Sequence, residues 1–161
     1  MKSNRFIKNI PTKLQEEFLN DDCFLKTWKG KGLGGTTALL IAATQYVDEP
    51  YYVALIVEPT YPQALILVEK AKSWWSDETD VHFSNLKHTW TFPSGAKIRI
   101  ENLKELPEDI YYYTAMDLPF IGIDCYHSYV AHLSSLEKLK LRCRLPYGIS
   151  KSVPRRIRIV S

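Results

Sequence analysis

No acidic residue follows Glu137 in this 161-residue chain. The tail carries eight basic residues instead (Lys138, Lys140, Arg142, Arg144, Lys151, Arg155, Arg156 and Arg158), which leaves 13 basic against 18 acidic side chains, a net of −5, on residues 1–137. That asymmetry has two readings: a solvated helix face followed by an edge strand with alternating arginines, or a surface for an anionic polymer. Composition alone does not separate them. Cysteine is scarce, and Cys23, Cys125 and Cys143 are odd in number, scattered and outside CxxC spacing, which fits reduced thiols better than disulfides or zinc. There is no run of eighteen apolar residues and no long uncharged apolar core near the N-terminus, so neither a helical membrane span nor an export signal is expected. Internal repeats and low-complexity segments are missing too. What remains fits one soluble, intracellular domain, with 45% of its residues hydrophobic and a core that needs no staples.

Glycine is also rare, which makes its placement informative. Four of the seven glycines, Gly30, Gly32, Gly34 and Gly35, fall within six positions of "TWKGKGLGGTTALL". Before that loop, "IPTKLQEEFL" puts Ile10, Leu14, Phe18 and Leu19 on one side of a short helix with Thr12 as N-cap, and "DCFLKTW" reads as a strand. After it, Leu39, Leu40, Ala43 and Val47 recur at helical spacing, so the loop joins a strand to a helix. "YYVALIVEP" is a continuous apolar run, as expected of a strand covered on both faces, and "YPQALILVEKAKSWW" is a second helix. This β-α-β-α order favours a parallel sheet with helices packed on it. "HTWTFPSGAKIRI" breaks the pattern, with two short alternating runs flanking Pro93-Ser94-Gly95, and predicts an antiparallel hairpin inserted as an excursion from the parallel core. "LPFIGIDCYH" places an apolar strand directly before Asp124, "SSLEKLKLRCRL" offers a helix capped near Ser134, and "RRIRIV" is a final strand.

Phosphate loops use glycines so that successive backbone N–H groups can turn inward, and the following helix N-terminus adds the positive end of its dipole. In the pattern GxxxxGK[ST], a lysine reaches the outer phosphates and a hydroxyl holds Mg²⁺. Here Thr36 supplies the hydroxyl, but Lys29 stands in place of the first glycine and Gly35 in place of the lysine. Taken alone, the stretch serves equally well as a glycine-rich turn. A second half of the site is offered by "FIGIDC", an apolar strand that ends in Asp124 and can deliver a carboxylate to the same magnesium, in the manner of a Walker B strand. Motor ATPases follow that aspartate with a glutamate that orients the attacking water; here Cys125 follows it.

With these stretches in order, the chain resembles the N-terminal ATPase domain of the large terminase subunits of tailed bacteriophages, over nearly its whole length. "PTKLQEEFL" resembles the family's adenine-contacting Q motif with Gln15 at its glutamine, and "KGKGLGGTT" its phosphate loop. "HTWTFPSGAKIRI" is similar to the family's WTFPSGARI hairpin, "FIGIDC" to FIGFDE, and "RLPYGISKSVPRRIRIV" to the basic stretch before its coupling motif. The resemblance implies a single, partial P-loop NTPase-like α/β domain of the terminase/RecA type over residues 1–161, with a mainly parallel sheet flanked by helices and no nuclease domain. It implies ATP and Mg²⁺ as cofactors, with Gln15, Gly30, Lys31, Gly32, Gly34, Gly35, Thr36 and Thr37 around the nucleotide and Thr36 and Asp124 on the metal. Arg155, Arg156 and Arg158 would meet DNA. The implied partners are double-stranded DNA, a terminase small subunit, a portal or a separate C-terminal terminase chain, in the cytoplasm of a bacterial host and not at a membrane.

The departures concentrate on chemical positions while apolar and turn positions are kept. Gly35 replaces the lysine and Cys125 the glutamate; Glu58-Pro59 and Thr114-Ala115 stand where the family tends to carry arginines and Gln-Gly. Lys31 is the one basic residue that could reach a phosphate from the early loop. The expectation is a truncated or degenerate copy with weak or no hydrolysis, the alternative being a non-catalytic interaction or regulatory protein that uses the fold to bind motor subunits or DNA. Other constellations are weaker: Cys125 with His127 or His132 has no third orienting group, the histidines lack zinc spacing, and the tyrosines at 111–113 read as packing.

Overall fold

The computed structural model describes residues 2–29, 32–102, 116–124 and 133–160, with the backbone alone for 133–136. The tyrosines at 111–113, Thr114-Ala115, His127 and His132 lie outside the described residues, and so does the side chain that would cap a helix near Ser134.

Seven strands form one sheet. They are β1 (Leu25–Trp28), β2 (Val53–Glu58), β3 (His82–Ser84), β4 (Thr89–Thr91), β5 (Lys97–Asn102), β6 (Phe120–Ile123) and β7 (Arg156–Val160), in the order β1-β7-β6-β2-β5-β4-β3. The first five positions in that order are parallel, and β4 and β3 continue antiparallel beyond β5. The α/β, mainly parallel architecture is as expected. The strand before the glycine loop and the strand before Asp124 are next neighbours, separated by β7. One expectation is corrected: the hairpin is no excursion, because β5 pairs with β2 along its length, from Val53↔Lys97 to Glu58↔Asn102, and so extends the main sheet.

Three helices, α1 (Lys13–Asn20), α2 (Gly35–Thr44) and α3 (Tyr61–Trp75), pack on one face over Ala54, Ile56, Ile98 and Ile100. Helix α4 (Leu133–Lys140) lies on the other, where Leu139 joins Leu55, Val57, Ile121, Ile123, Ile157 and Ile159. Strand β2 contributes to both clusters, which is why its sequence shows no polar alternation. Helix α2 is buried all round from Ala38 to Thr44, the signature of a helix with a layer on each side. Trp75 packs edge-on against Trp90 and Phe92, fixing the end of α3 to the hairpin, and its indole N–H donates to the Phe6 carbonyl at 3.0 Å.

Helix α1 departs from its expected apolar face. Phe18 and Leu19 are buried, but Ile10 is 95% and Leu14 53% exposed, and the inward place goes to Gln15. A polar residue is tolerated there because its amide is satisfied at both ends. Gln15 Oε1 accepts from Thr12 N–H at 2.8 Å in a capping box, and its Nε2 donates to the Gly34 carbonyl at 2.9 Å.

Candidate functional site

The glycine loop runs from the end of β1 to the start of α2 at the carboxyl edge of the parallel strands. Gly32 (φ 81°) and Gly34 (φ 80°) are both left-handed, a backbone that other residues adopt at a cost, and Gly34 is the N-cap of α2. No side chain caps this helix, so its first N–H groups face the loop without helical acceptors. Gln15 is the brace: a Cβ on Gly34 would meet its Nε2 at 2.7 Å. The glutamine expected beside a base thus has its amide spent on the loop and on its own N-cap.

Gly35 has a different reason to be glycine. A Cβ there would sit 2.2 Å from Val160 Cγ1 and 3.2 Å from both Cβ and Cγ2 of the same residue. The place where a phosphate-loop lysine would begin is filled by the last residue of β7. This is a steric account of the departure, where the sequence offered only a missing charge.

Thr36, one residue into α2, donates its hydroxyl to Asp124 Oδ2. Asp124 follows β6 directly, and its N–H donates to the Val57 carbonyl at 3.0 Å, carrying the β2–β6 pairing one step past Val57↔Ile123. That step brings the Asp124 carboxylate beside Glu58, the last residue of β2, on the face covered by α2 and α3. Thr36, Glu58, Asp124, Gln63, Ile66 and Leu67 line a cavity of about 120 Å³. A larger cavity of about 420 Å³, lined by Tyr61, His88, Arg99 and Glu101 among others, includes neither the glycine loop nor Asp124.

Glu58 is 3% exposed and its Oε1 has no hydrogen-bond partner. Burial, and then the charge of Asp124, push its pKa up to about 8. The oxygens of Thr36, Asp124 and Glu58 are the hard donors that Mg²⁺ or Mn²⁺ takes, and an orphaned carboxylate oxygen at the cavity is what such an ion would satisfy. The site therefore fits a divalent cation. Its fit to phosphate is partial, with two left-handed glycines and an open helix start but no lysine at position 35. A lysine does arrive from elsewhere: Lys70, on α3, donates its ammonium to Thr37 Oγ1 in the first turn of α2, and burial lowers its pKa.

Gly30, Lys31 and Cys125 lie outside the described residues. Among the rest, Gln15, Gly32, Gly34, Gly35, Thr36 and Thr37 gather around one loop, and Asp124 meets Thr36. Sequence reasoning missed two residues. Glu58 was marked only as a departure, although a charged residue closing an otherwise apolar central strand is a usable signal. Lys70 carried none, because its helix is amphipathic either way.

The arginines expected at DNA divide differently. Strand β7 is interior, between β1 and β6, rather than an edge. Arg158 is wholly buried, with Nη1 donating to the Cys23 carbonyl at 3.1 Å and Nη2 to the Asp21 carbonyl at 2.5 Å, and burial followed by the charge of Arg156 lowers its pKa to about 10. Its assignment to a DNA surface is corrected: the guanidinium ties down the connection between α1 and β1. Arg156 is half-buried and donates to the Leu19 carbonyl at 3.1 Å. Arg155 is exposed, 5.6 Å from the Phe24 ring.

No protein-family model and no curated protein matches this sequence. Solved structures do. The large terminase ATPase domain of Thermus phage P74-26 superposes with a TM-score of 0.63 at 15% identity, covering 97% of this chain and 66% of that one. An arginine-to-alanine variant of that domain gives 0.61 at 14% identity with the same coverage. This chain spans about two-thirds of the length of the structures it matches. At such identity the likeness is one of fold: this chain has the seven-stranded, mainly parallel sheet flanked by helices that is seen in that terminase ATPase domain.

Proposed function

We propose that this chain is a domain of tailed-phage DNA-packaging machinery that binds magnesium nucleotide weakly and hydrolyses it slowly or not at all. The observation that carries the reading is the Thr36–Asp124 contact: a hydroxyl at the first turn after the glycine loop and a carboxylate at the end of a non-adjacent strand converge on one cavity. Convergence of that kind is what a phosphate-bound cation requires, and a glycine-rich turn with no ligand does not call for it. Weak binding follows from Gly35, since the outer phosphates lose the positive charge that a lysine supplies to ground state and transition state alike. Slow turnover follows from Cys125, because an ordinary thiol is mostly protonated at neutral pH and replaces a water-orienting carboxylate poorly.

In this reading the backbone N–H groups of the loop hold phosphate, Thr36 and Asp124 hold the cation, and Gln15 keeps the loop in register. Bound Mg²⁺ would neutralise phosphate charge there. Double-stranded DNA and other packaging subunits are the partners, in the host cytoplasm, and Lys138, Arg144, Lys151 and Arg155 are the exposed tail charges left for a phosphate backbone. The test is titration with a fluorescent ATP analogue in Mg²⁺ beside a steady-state phosphate-release assay. Saturable binding that is lost in Thr36→Ala, with release near background, is expected. Absence of binding at millimolar nucleotide, or turnover above roughly 1 s⁻¹ as ordinary enzymes reach, overturns the proposal.

A further inference from the structure

We infer that Glu58 is a ligand of a two-carboxylate divalent-cation site, shared with Asp124 and Thr36, that takes Mg²⁺ or Mn²⁺ without nucleotide. The inference rests on the functional reading above for the roles of Thr36 and Asp124, and adds a residue that reading does not use. Three observations converge on Glu58. It ends the central strand β2 directly beside Asp124, a position enforced by the Asp124 N–H to Val57 carbonyl bond. It is 97% buried, and its Oε1 is without a partner while the side chain lines the cavity that Thr36 and Asp124 also line. And among the described residues the charge acting on it is another carboxylate, with no cationic side chain beside it. Lys70, the ammonium that reaches this end of α2, is turned to Thr37.

Buried carboxylates are ordinarily paired, protonated or metal-bound. Glu58 has no partner, and its neighbour is an acid. Beside that acid the buried Glu58 keeps a proton near neutral pH; a divalent cation between the two displaces the proton and gives the orphaned oxygen a bond. The space suits it: about 120 Å³ holds roughly four waters at their liquid volume of about 30 Å³ each, room for an ion that keeps part of its hydration shell, as Mg²⁺ does. A nucleotide-dependent magnesium site needs phosphate oxygens because it offers one carboxylate; a second carboxylate supplies an anionic oxygen of the protein's own.

The experiment uses Mn²⁺ as the probe, on the whole chain in nucleotide-free buffer, with free ion counted by electron paramagnetic resonance. One ion per wild-type chain is expected. Glu58→Gln, which keeps shape and volume, should weaken binding about 10- to 100-fold, the loss typical when a group supporting a metal site is removed. Independently of any variant, Mn²⁺ should broaden the amide resonances of Thr36, Glu58 and Asp124 in the wild-type chain before others. Unchanged affinity in Glu58→Gln, no binding without nucleotide, or broadening centred elsewhere overturns the inference. The fluorescent-nucleotide titration run on the same samples separates the two readings: nucleotide binding without nucleotide-free Mn²⁺ binding sinks only the Glu58 site, and Mn²⁺ binding without nucleotide binding sinks only the proposed function.

Discussion

Replacing Gly35 by alanine tests whether the missing lysine is a steric consequence of the fold. Alanine is normally the better helix residue by about 1 kcal/mol, so at an open helix start the change would stabilise. Here the new methyl lands 2.2 Å from Val160 Cγ1, and a rotation of Val160 that removes this clash still leaves contacts of 3.2 Å to Cβ and Cγ2, which Val160 relieves only by giving way by a few tenths of an ångström. Overpacking of this kind costs about 1–3 kcal/mol, which exceeds or cancels the helix gain and leaves a net loss of up to about 2 kcal/mol. Val160→Ala alone removes two buried methyl-sized groups and should cost about 1–2 kcal/mol. The double variant should be more stable than the sum of the two losses, with a coupling of about 1–3 kcal/mol, since the cavity left by one accepts the methyl added by the other. Urea unfolding at neutral pH, read by far-UV circular dichroism, measures all three. If Gly35→Ala is as stable as the wild type or more so, or if the two changes simply add, the packing explanation of Gly35 fails. By the same geometry, Gly35→Lys should strengthen nucleotide binding only when combined with Val160→Ala.

Glu58 gives a pH dependence: in EDTA its folded pKa of about 8, against 4.5 ordinarily, means the folded chain keeps a proton that the unfolded chain gives up between those values. Stability should therefore fall as pH rises from about 5 to 8, by at most roughly 4–5 kcal/mol, and Glu58→Gln should flatten the profile; a wild-type slope that survives the substitution refutes the assignment. Gln15→Ala removes both the capping box and the brace on Gly34, so it should cost about 1–2 kcal/mol and speed amide exchange in the first turn of α2, visible by hydrogen exchange. Arg158→Leu strands the carbonyls of Asp21 and Cys23 and should destabilise by about 2–4 kcal/mol, whereas Arg155→Ala should leave stability unchanged; equal effects in thermal melts would contradict the buried role of Arg158.

The parts of the fold legible in the sequence are those written in local periodicity. The unbroken apolar run around Ala54 announces a strand covered on both faces, the spacing of α3 gives its span, and Phe120–Ile123 ends where Asp124 begins. The parts that were not legible depend on which strands meet. Whether Arg158 faces water depends on β7 lying between β1 and β6, a fact of strand order that no window around Arg158 contains. The apposition of Glu58 and Asp124 depends likewise on β2 pairing with β6. Helix α1 misled for a different reason: Gln15 took an inward place that hydrophobic spacing assigns to Leu14, because a satisfied amide is as acceptable there as a methyl group and also holds the loop. Gly35 was legible as a departure but not as a cause, since its neighbour Val160 is at the far end of the chain.

These non-local contacts change what the missing lysine means. In a phosphate loop that has one, the ammonium offsets both the phosphates and the carboxylate that holds magnesium, so metal and nucleotide can arrive together as one complex. Here the lysine's place is packed with Val160, and a second carboxyl group, Glu58, stands beside Asp124, where burial and that neighbour's charge hold a proton on it near neutral pH. At the proposed cation site, binding of the ion displaces that proton, so cation affinity should rise as the pH is raised toward 8. Lys70, which donates to Thr37 from α3, puts a positive charge at the first turn of α2 that the glycine loop itself does not carry at position 35.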